Sequence, residues 1–203
     1  MVALIDYGMG NIHSVKKALE ICGGKVLVTN NPEDVLAAEK IVLPGVGAFD
    51  DAMRELEKQG LALVIKNAVK NNKPFLGICL GMQLLFEKSE EAKAKKGLGI
   101  LKGVVKKIPK GDFKVPHMGW NQIKINKEDN CPLLDGIIDG AYVYFCHSYY
   151  PVPHEIKVIA ATTEHGINFT SIVHKKSVYG AQFHPEKSQG VGLKIIDNFL
   201  KVC

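Results

Sequence analysis

A cysteine flanked by two glycines is the strongest chemical signal in the sequence. The pattern Gly77-x-Cys79-x-Gly81 follows a short apolar run at residues 75–78 and precedes leucines at helical spacing. It is the cysteine counterpart of the Gly-x-Ser-x-Gly turn, in which a strand reverses sharply into a helix and exposes a nucleophile. The amides of a helix N-terminus favour a thiolate there. A buried structural cysteine is the alternative, but the paired glycines between strand and helix favour a nucleophile.

A nucleophilic cysteine needs a base, and His184 has the most suitable neighbours among the seven histidines. Residues 177–183 have the pattern of a strand, which places His184 at a strand end, where sites form in α/β folds. Glu186, two residues on, can accept the imidazole N–H and stabilise the imidazolium. Alone, His-Pro-Glu is equally typical of a turn. With the cysteine motif it predicts a triad of Cys79, His184 and Glu186; His147 is the main rival base, and it lacks a neighbouring carboxylate.

Composition limits the class of protein. The 203-residue chain is 46% hydrophobic, which is ordinary for a globular enzyme, and we expect one domain over residues 1–203. The apolar run at residues 2–5 is too short for a secretion signal and no run is long enough for a membrane helix, so we expect a cytoplasmic protein without membrane contact. The charge of +5 comes with a single arginine, Arg54, which argues against a nucleic-acid partner.

Cofactor patterns are also missing from the sequence. The five cysteines form no Cys-x-x-Cys pair, which indicates neither a disulfide framework nor a metal site. Gly8 and Gly10 suggest a dinucleotide-binding turn, but His13 stands where its third glycine belongs. We therefore expect no metal and no cofactor.

Short apolar runs alternate with amphipathic stretches through the first half, a pattern that predicts βαβ units and a parallel sheet. Strands are predicted at residues 2–5, 25–29, 41–43 and 75–78, and helices at 14–21, 50–59 and 61–71, with a short helix after Pro32 and Ser14 as the first cap. Further strands are predicted at 100–108, 123–125, 141–145, 158–162, 170–174 and 178–183, and a final helix at 191–202. The expected fold is α/β, with a mixed, mostly parallel central sheet flanked by helices and extra antiparallel strands in the second half.

The motifs around the predicted triad resemble those of the class I, triad-type glutamine amidotransferases. The segments that carry the resemblance are G-I-C-L-G-M-Q at 77–83 and F-H-P-E at 183–186. Four others, D-Y-G-M-G-N at 6–11, P-G-V-G-A-F at 44–49, P-H-M-G-W-N at 116–121 and C-H-S-Y at 146–149, are similar to those of the glutaminase subunits of imidazole glycerol phosphate synthases, from histidine biosynthesis. The resemblance covers essentially the whole chain and implies a flavodoxin-like fold that hydrolyses glutamine to glutamate and ammonia.

The resemblance also implies which residues bind the substrate. In an enzyme with such a turn, the amide after the nucleophile, here that of Leu80, is one oxyanion donor, and a neighbouring strand-to-helix loop supplies another. The family pattern assigns that loop to Gly45, Val46 and Gly47, with the peptide of Val46 and Gly47 as the critical one. We expect this peptide to be misoriented at rest and to turn when the partner is occupied. The remaining expected contacts to glutamine are Gln83, Glu91, and the backbone of Ser148 and Tyr149.

Nothing in the sequence provides a site that uses the ammonia, so an acceptor subunit is implied. By resemblance it is a cyclase, a (β/α)8 barrel that forms a heterodimer with the glutaminase. The cyclase combines ammonia with a phosphoribosyl-formimino carboxamide ribonucleotide to give imidazole glycerol phosphate and an aminoimidazole carboxamide ribotide. The ammonia would pass directly between the subunits. The residues expected at or near this contact are Asn11, His117, Met118, Trp120, Asn121, Tyr144 and Lys187.

Three other functions remain open from the sequence. The nearest is a glutaminase for another synthesis, such as that of anthranilate or aminodeoxychorismate, but the Pro44-Gly-Val46-Gly loop argues against it because those loops usually carry an additional proline. A second is a cysteine hydrolase or redox-active thiol protein, which would not require glutamine. The third is a non-enzymatic interaction module, in which a complete triad would have no purpose.

Overall fold

The computed structural model describes residues 1–201, in which helices and strands alternate through the first half. The helices are α1 (Ile12–Ile21), α2 (Pro32–Ala37), α3 (Phe49–Lys58), α4 (Leu61–Lys70), α5 (Leu80–Gln83) and α6 (Gln189–Lys201). The strands are β1 (Val2–Ile5), β2 (Val26–Thr29), β3 (Lys40–Leu43), β4 (Phe75–Ile78), β5 (Lys88–Ser89), β6 (Gly103–Lys107), β7 (His117–Gln122), β8 (Lys124–Ile125), β9 (Tyr142–His147), β10 (Tyr149–Pro153), β11 (Ile159–Glu164), β12 (Asn168–Lys175) and β13 (Val178–Ala181). Short 3-10 helices span Pro132–Leu134, Ile156–Val158 and Pro185–Lys187.

Eight strands form the central sheet, in the order β2-β1-β3-β4-β13-β12-β11-β8. The first five are parallel, and β12, β11 and β8 continue the sheet in antiparallel pairings. The predicted mixed sheet with antiparallel strands from the second half is confirmed. Because β1, β3, β4 and β13 are parallel, their carboxyl ends meet at one edge of the sheet, where ligand sites form in such folds.

Alternate residues of each central strand pack on opposite faces of the sheet. On β1, Ala3 and Ile5 belong to the core cluster that also contains α3 and α4, whereas Val2 and Leu4 belong to the cluster that contains α1 and α6. Both faces are therefore covered by helices, and β1, β3, β4 and β13 are buried at every position. Full burial of one Leu or Ile side chain stabilises the fold by roughly 1.5–3 kcal/mol.

Two helices differ from their predicted forms at the ends. Ser14 does not cap α1: Asn11 does, and its side-chain oxygen accepts the Ser14 N–H at 3.3 Å. The prediction selected Ser14 because its hydroxyl lies next to the first apolar residues of the helical pattern, whereas the helix starts earlier, directly after Asn11. Helix α6 begins at Gln189, before the predicted start, and Val202, its predicted end, lies outside the described residues.

Helix α5 is a single turn, shorter than the leucine spacing indicates. The chain leaves the helix because its next carbonyl groups bond to a later segment: Leu84 O accepts Leu98 N–H at 2.8 Å, and Leu85 O accepts Leu101 N–H at 3.0 Å. These leucines are buried. Tertiary hydrogen bonds thus replace the helical ones, and the apolar spacing serves the core.

Three strands were not predicted: β5, β7 and β10. Strand β7 pairs antiparallel with β9, and β10 pairs with β6, which also contacts β5. Their sequences contain Gly119, Pro151 and several polar residues, which weaken a strand pattern. Pairing with a partner distant in sequence determines these strands.

Candidate active site

Cys79 occupies a strained turn at the carboxyl end of β4. Its φ is 53° and its ψ is −110°, a conformation that costs a residue with a side chain about 1–3 kcal/mol. The two glycines make the turn possible. A Cβ added at Gly77 would lie 2.6 Å from the Gly81 oxygen, and one added at Gly81 would collide with the Leu43 oxygen. The sequence thus forms the strand-to-helix turn that its glycine spacing predicts.

His184 and Glu186 follow β13, the strand beside β4 in the sheet. His184 Nδ1 lies 2.8 Å from Glu186 Oε1, and the two side chains are 5% and 1% exposed. The other carboxylate oxygen of Glu186 is buried and has no hydrogen-bond partner among the described residues. The pair is therefore closed to bulk solvent, and the imidazole is the hydrogen-bond partner of the buried carboxylate.

The environment of His184 favours its protonated form. Burial by itself lowers the pKa of His184, but hydrogen bonds to the Cys79 and Glu186 side chains, together with the negative charges of both, outweigh burial and raise this pKa to about 10. At neutral pH the imidazole then carries a positive charge next to the sulfur. A cation beside a cysteine stabilises the thiolate, which is the reactive form. The structure thus brings the three predicted triad residues together.

A cavity of about 340 Å³ lies in front of the sulfur. Apart from Cys79 and His184 themselves, it is lined by Val46, Gly47, Leu80, Gln83, Glu91, Pro116, Cys146, His147, Ser148, Tyr149 and Lys187. Most of the residues predicted to bind glutamine are among them. Gly45 stands behind the wall: a Cβ there would come within 2.8 Å of Tyr7 Oη and 2.9 Å of Leu80 Cβ. A larger cavity of about 670 Å³, near α6, contains none of the predicted site residues.

The loop predicted to supply an oxyanion donor follows β3 and contacts the loop that follows β1. Val46 N–H donates to Met9 O at 3.3 Å. Gly47 has a φ of 94°, and a Cβ there would lie 2.9 Å from Met9 Cε. On the opposite side, Leu80 is the first residue of α5, so its N–H is one of the amides that a helix leaves without an intrahelical acceptor.

Gln83 is held at the back of the cavity by two hydrogen bonds. Its Nε2 donates to Tyr149 O at 2.9 Å and to Gln182 Oε1 at 3.0 Å. The Nε2 of Gln182 in turn donates to Cys79 Sγ at 3.7 Å. Sequence reasoning missed Gln182, which is completely buried. The sequence did contain a signal for it, because Gln182 is a single amide side chain between Ala181 and Phe183 in an apolar strand pattern. A buried amide needs hydrogen-bond partners, which indicates a specific contact.

Glu91 lines the cavity from a loop that is fastened to the start of α3. Its Oε2 accepts the Phe49 N–H at 2.9 Å, where the helix N-terminus favours negative charge. Next to it, the Asp50 carboxylate accepts the N–H groups of Lys93, Ala94 and Lys95 at 2.9–3.1 Å. Glu91 of the loop and Asp50 of α3 thus fasten this charged loop to the start of the helix beside the cavity.

His147, the rival base, is part of the cavity wall but is fully engaged in other contacts. Its Nδ1 lies 2.9 Å from Tyr149 O, and its Nε2 lies 3.1 Å from His117 Nδ1. Burial lowers the pKa of His147 to about 3. With both ring nitrogens occupied, it is less suited than His184 to transfer protons to and from Cys79.

The residues predicted at the partner contact fall into two groups. Met118 and Trp120 are 63% and 47% exposed on β7, and Trp120 packs edge-to-face on Tyr144 with ring centroids 6.1 Å apart. Lys187 Nζ lies 5.8 Å from the Tyr144 ring centre. His117, by contrast, is 4% exposed. Asn11 caps α1, and Asn121 occupies the inner side of β7 together with His117.

Within residues 1–201, no group of three or more His, Cys, Asp or Glu side chains is arranged to hold a metal ion, and no helix is long and apolar enough to cross a membrane.

Comparisons with known proteins agree with this geometry. A model of the glutamine amidotransferase class-I family matches residues 3–203. The imidazole glycerol phosphate synthase subunit HisH of Methanocaldococcus jannaschii is 51% identical over 202 residues, covering 100% of both chains. The corresponding HisH subunit of Geobacter metallireducens is 50% identical over 204 residues, covering 98% of this chain and 96% of that protein.

Solved structures show the same fold at low sequence identity. A crystal structure of a glutamine amidotransferase superimposes with a TM-score of 0.76 at 16% identity, covering 100% of this chain and 98% of the other. A chain of PurLQS from Thermotoga maritima gives a TM-score of 0.73 at 21% identity, covering 99% and 97%. The matched residues include every element that forms the cavity. This chain therefore belongs to the class-I glutamine amidotransferase family, among the HisH subunits of imidazole glycerol phosphate synthase.

Proposed function

We propose that this chain hydrolyses the side-chain amide of glutamine to glutamate and ammonia and delivers the ammonia to a synthase subunit in histidine biosynthesis. The observation that carries the proposal is that Cys79 and His184 line the same cavity, with the Glu186 carboxylate 2.8 Å from the His184 ring. The matched HisH relatives support the pathway. The reactive thiol fits the reducing cytoplasm, where we place the protein.

The cysteine and the histidine carry out the chemical steps. Cys79 thiolate attacks the amide carbon, and protonated His184 donates its proton to the departing nitrogen, so that ammonia leaves and a thioester remains. Water, deprotonated by the same imidazole, then attacks the thioester and releases glutamate. Glu186 holds the ring so that the nitrogen opposite Nδ1 faces the sulfur and stabilises the imidazolium. The raised pKa of His184 supplies the proton at neutral pH.

Backbone amides stabilise the negative oxygen of the tetrahedral intermediate in this proposal. Leu80 N–H is one donor, and the loop of Gly45, Val46 and Gly47 supplies the other. Glutamine itself is held by Gln83, by Glu91 at its charged end, and by the backbone of Ser148 and Tyr149.

We infer that the described conformation is the resting one. Val46 N–H is bonded to Met9 O, so it is not free to meet an oxyanion. A turn of the peptide unit between Val46 and Gly47 would instead reorient the Gly47 N–H, and Gly47 already has the left-handed φ that only glycine adopts easily. Occupation of the partner would drive the turn. Equal rates of glutamine hydrolysis with and without a liganded partner would contradict this inference.

The partner we propose is a cyclase with a (β/α)8 barrel, bound as a heterodimer. Trp120 and Met118 offer an exposed apolar surface on β7, and aromatic side chains are common anchors of such contacts. Lys187 and Tyr144 stand between this surface and the cavity, where a direct passage for ammonia would run. Ammonia kept out of water stays unprotonated and reactive.

The test is glutamate release from glutamine by the purified chain, alone and with the cyclase and its nucleotide ligand. We expect activity that rises strongly with the liganded cyclase. The Cys79→Ala variant should be folded and inactive, because it lacks the nucleophile. Activity in a pure Cys79→Ala sample would overturn the triad. Activity that depends on Cys79 but ignores the cyclase would keep the glutaminase and reject this partner.

A further inference from the structure

A row of hydrogen bonds runs from the inner side of β7 to the back of the cavity. Asn121 Nδ2 lies 3.2 Å from His117 Nε2, His117 Nδ1 lies 3.1 Å from His147 Nε2, and His147 Nδ1 lies 2.9 Å from Tyr149 O. The mechanism above uses neither Asn121 nor the two histidines. His117 and His147 are both buried, so this contact row is shielded from water along most of its length.

The two ends of the row fix the direction of every hydrogen bond in it. Glu164 O, 2.8 Å from Asn121 Nδ2, requires that this atom be the donor of the amide, so His117 Nε2 must accept. Tyr149 O can only accept, so His147 Nδ1 must carry a proton. His117 Nδ1–H then donates to the remaining lone pair, on His147 Nε2. Both rings are therefore neutral and protonated on Nδ1.

The surroundings of the two rings agree with neutral imidazoles. Burial lowers the pKa of His117 to about 4, helped by the charge of His165, which stacks on it at 4.0 Å. Burial also lowers the pKa of His147, outweighing the hydrogen bond to Tyr149 O, which raises it, and the positive charge of His184 lowers it further. His165 itself contacts Lys114 O through Nε2 at 2.8 Å. A proton added to His117 Nε2 would face the Asn121 N–H, and one added to His147 Nε2 would face the His117 Nδ1–H, so each would place two donors in contact.

The row ends on a carbonyl that serves the active site. Tyr149 O accepts from His147 on one side and from Gln83 Nε2 on the other, both at 2.9 Å. Gln83 then donates to Gln182, and Gln182 Nε2 reaches Cys79 Sγ at 3.7 Å. Because each amide has one carbonyl and one amino group, the contact to Tyr149 O fixes the orientation of Gln83, and Gln83 fixes that of Gln182. The donor at the sulfur thus depends on the position of the Tyr149 carbonyl, which the hydrogen bond from His147 helps to hold.

We propose that Asn121, His117 and His147 are positioning residues of this glutaminase, whose aligned hydrogen bonds hold the Tyr149 carbonyl, and through it Gln83 and Gln182, in the orientation that glutamine binding and the Cys79 thiolate need. The proposal rests on the proposed glutaminase function. It adds a role for the inner side of β7, whose outer side carries Trp120. Without the Asn121 donor, His117 can carry its proton on Nε2 instead of Nδ1. His117 then no longer donates to His147 Nε2, and the hydrogen bonds of the row are no longer aligned.

The first test is kinetic and compares four variants with the wild type at saturating partner concentration. We expect Asn121→Ala to lower kcat/KM for glutamine about tenfold, as expected when one hydrogen bond that orients a site is lost. His117→Phe keeps an aromatic ring but no donor and should lose more. His117→Asn offers an amide N–H near the position of Nδ1 and should recover most of the loss. Gln122→Ala, which removes a neighbouring exposed bond to Gly140 O, should match the wild type.

The second test is nitrogen NMR of the histidine rings, which needs no activity. Both His117 and His147 should be Nδ1–H tautomers at neutral pH in the wild type and in Gln122→Ala. In Asn121→Ala, His117 should shift toward the Nε2–H form. A purely structural role would change unfolding temperature without changing the tautomer, so melting curves accompany both tests.

The outcomes separate this proposal from the proposed function. A wild type that releases no glutamate with any partner rejects the proposed function. Even then, His117 and His147 rings protonated on Nδ1, with a His117 tautomer that changes in Asn121→Ala, would support the hydrogen-bond directions derived for the row. An active wild type with Nε2–H tautomers overturns the proposal. So does a kcat/KM of Asn121→Ala and His117→Phe within about twofold of the Gln122→Ala control.

Discussion

At the scale of single residues, charge and burial decide what each histidine near the cavity can do. His184 has a buried carboxylate at 2.8 Å and a sulfur as partners, which raise its pKa despite burial. His147 has a carbonyl and a neutral ring as partners, and burial lowers its pKa. The same side chain is therefore a cation in one position and a neutral hydrogen-bonding link in the other, although both line one cavity.

We predict that Glu186→Gln lowers both the pKa of His184 and the glutaminase activity. The variant keeps the shape but removes the charge that stabilises the imidazolium, so kcat/KM should fall by a factor on the order of 100. His184 has a folded pKa of about 10 against an ordinary 6.5. Its contribution to stability is thus fully present below pH 6.5 and is lost as pH rises toward 10. Urea unfolding across this range should show a smaller loss in Glu186→Gln than in the wild type.

Asp129→Asn is the matched control for that experiment. Asp129 Oδ1 lies 3.0 Å from His174 Nδ1 in a second histidine–carboxylate pair that does not line the active-site cavity. Its kcat/KM should equal that of the wild type. If Glu186→Gln were equally active, the third member of the triad would have to be reassigned.

At the scale of elements, the active site depends on how closely α5 approaches β3 and β4. The turn at Cys79 brings the backbone of Gly81 against the Leu43 carbonyl, and the loop after β3 then borders the cavity. Strand pairing sets the rest, because β13 lies beside β4 in register, with Ala181 opposite Ile78. The nucleophile and its base thus follow neighbouring strands at the same edge of the sheet.

Gly81→Ala should destabilise the protein by about 3 kcal/mol, because its new methyl group would overlap a backbone carbonyl that cannot move away. The expected result is a lower midpoint in urea unfolding and loss of glutaminase activity. Gly190→Ala is the control: nothing lies within 4 Å of a Cβ at that position in α6. It should change stability by less than about 1 kcal/mol, in the stabilising direction. Equal stability of the two variants would contradict the close approach.

At the scale of the whole molecule, the two-stranded sheet of β7 and β9 contributes both to the cavity wall, through Cys146 and His147, and to the exposed aromatic surface, through Trp120. Strands β7 and β9 place Trp120 opposite Tyr144, and His117 opposite His147. On one face of this sheet Met118, Trp120 and Tyr142 are exposed, and on the other face His117, Val143, Phe145 and His147 are buried. A partner bound on the outer side would cover the site and receive its product.

If the proposed cyclase binds this surface, Trp120→Ala should weaken its binding about 30-fold, since a central aromatic anchor typically contributes about 2 kcal/mol. Titration calorimetry measures the affinity directly. Leu63→Ala provides the comparison, because Leu63 is 66% exposed on α4, away from β7, and its removal should leave the affinity unchanged. Similar affinities for both variants would place the partner on another surface.

The sequence by itself determined the features that depend on near neighbours along the chain. Glycines two residues either side of Cys79 impose the turn, a carboxylate two residues after His184 can reach its ring, and apolar runs of four residues mark the buried parallel strands. Each is a short-range constraint of backbone geometry or burial. The α/β class and the triad could therefore be predicted without the structure.

Only the tertiary structure decided the features that depend on residues far apart in sequence. The role of Gln182, the binding of Glu91 to the start of α3 and the single turn of α5 all rest on contacts across 14 or more residues. The same holds for the neutral state of His147, which His117 reaches only because β7 pairs with β9. No local pattern encodes such pairings, because burial and hydrogen-bond partners arise only when the chain has folded.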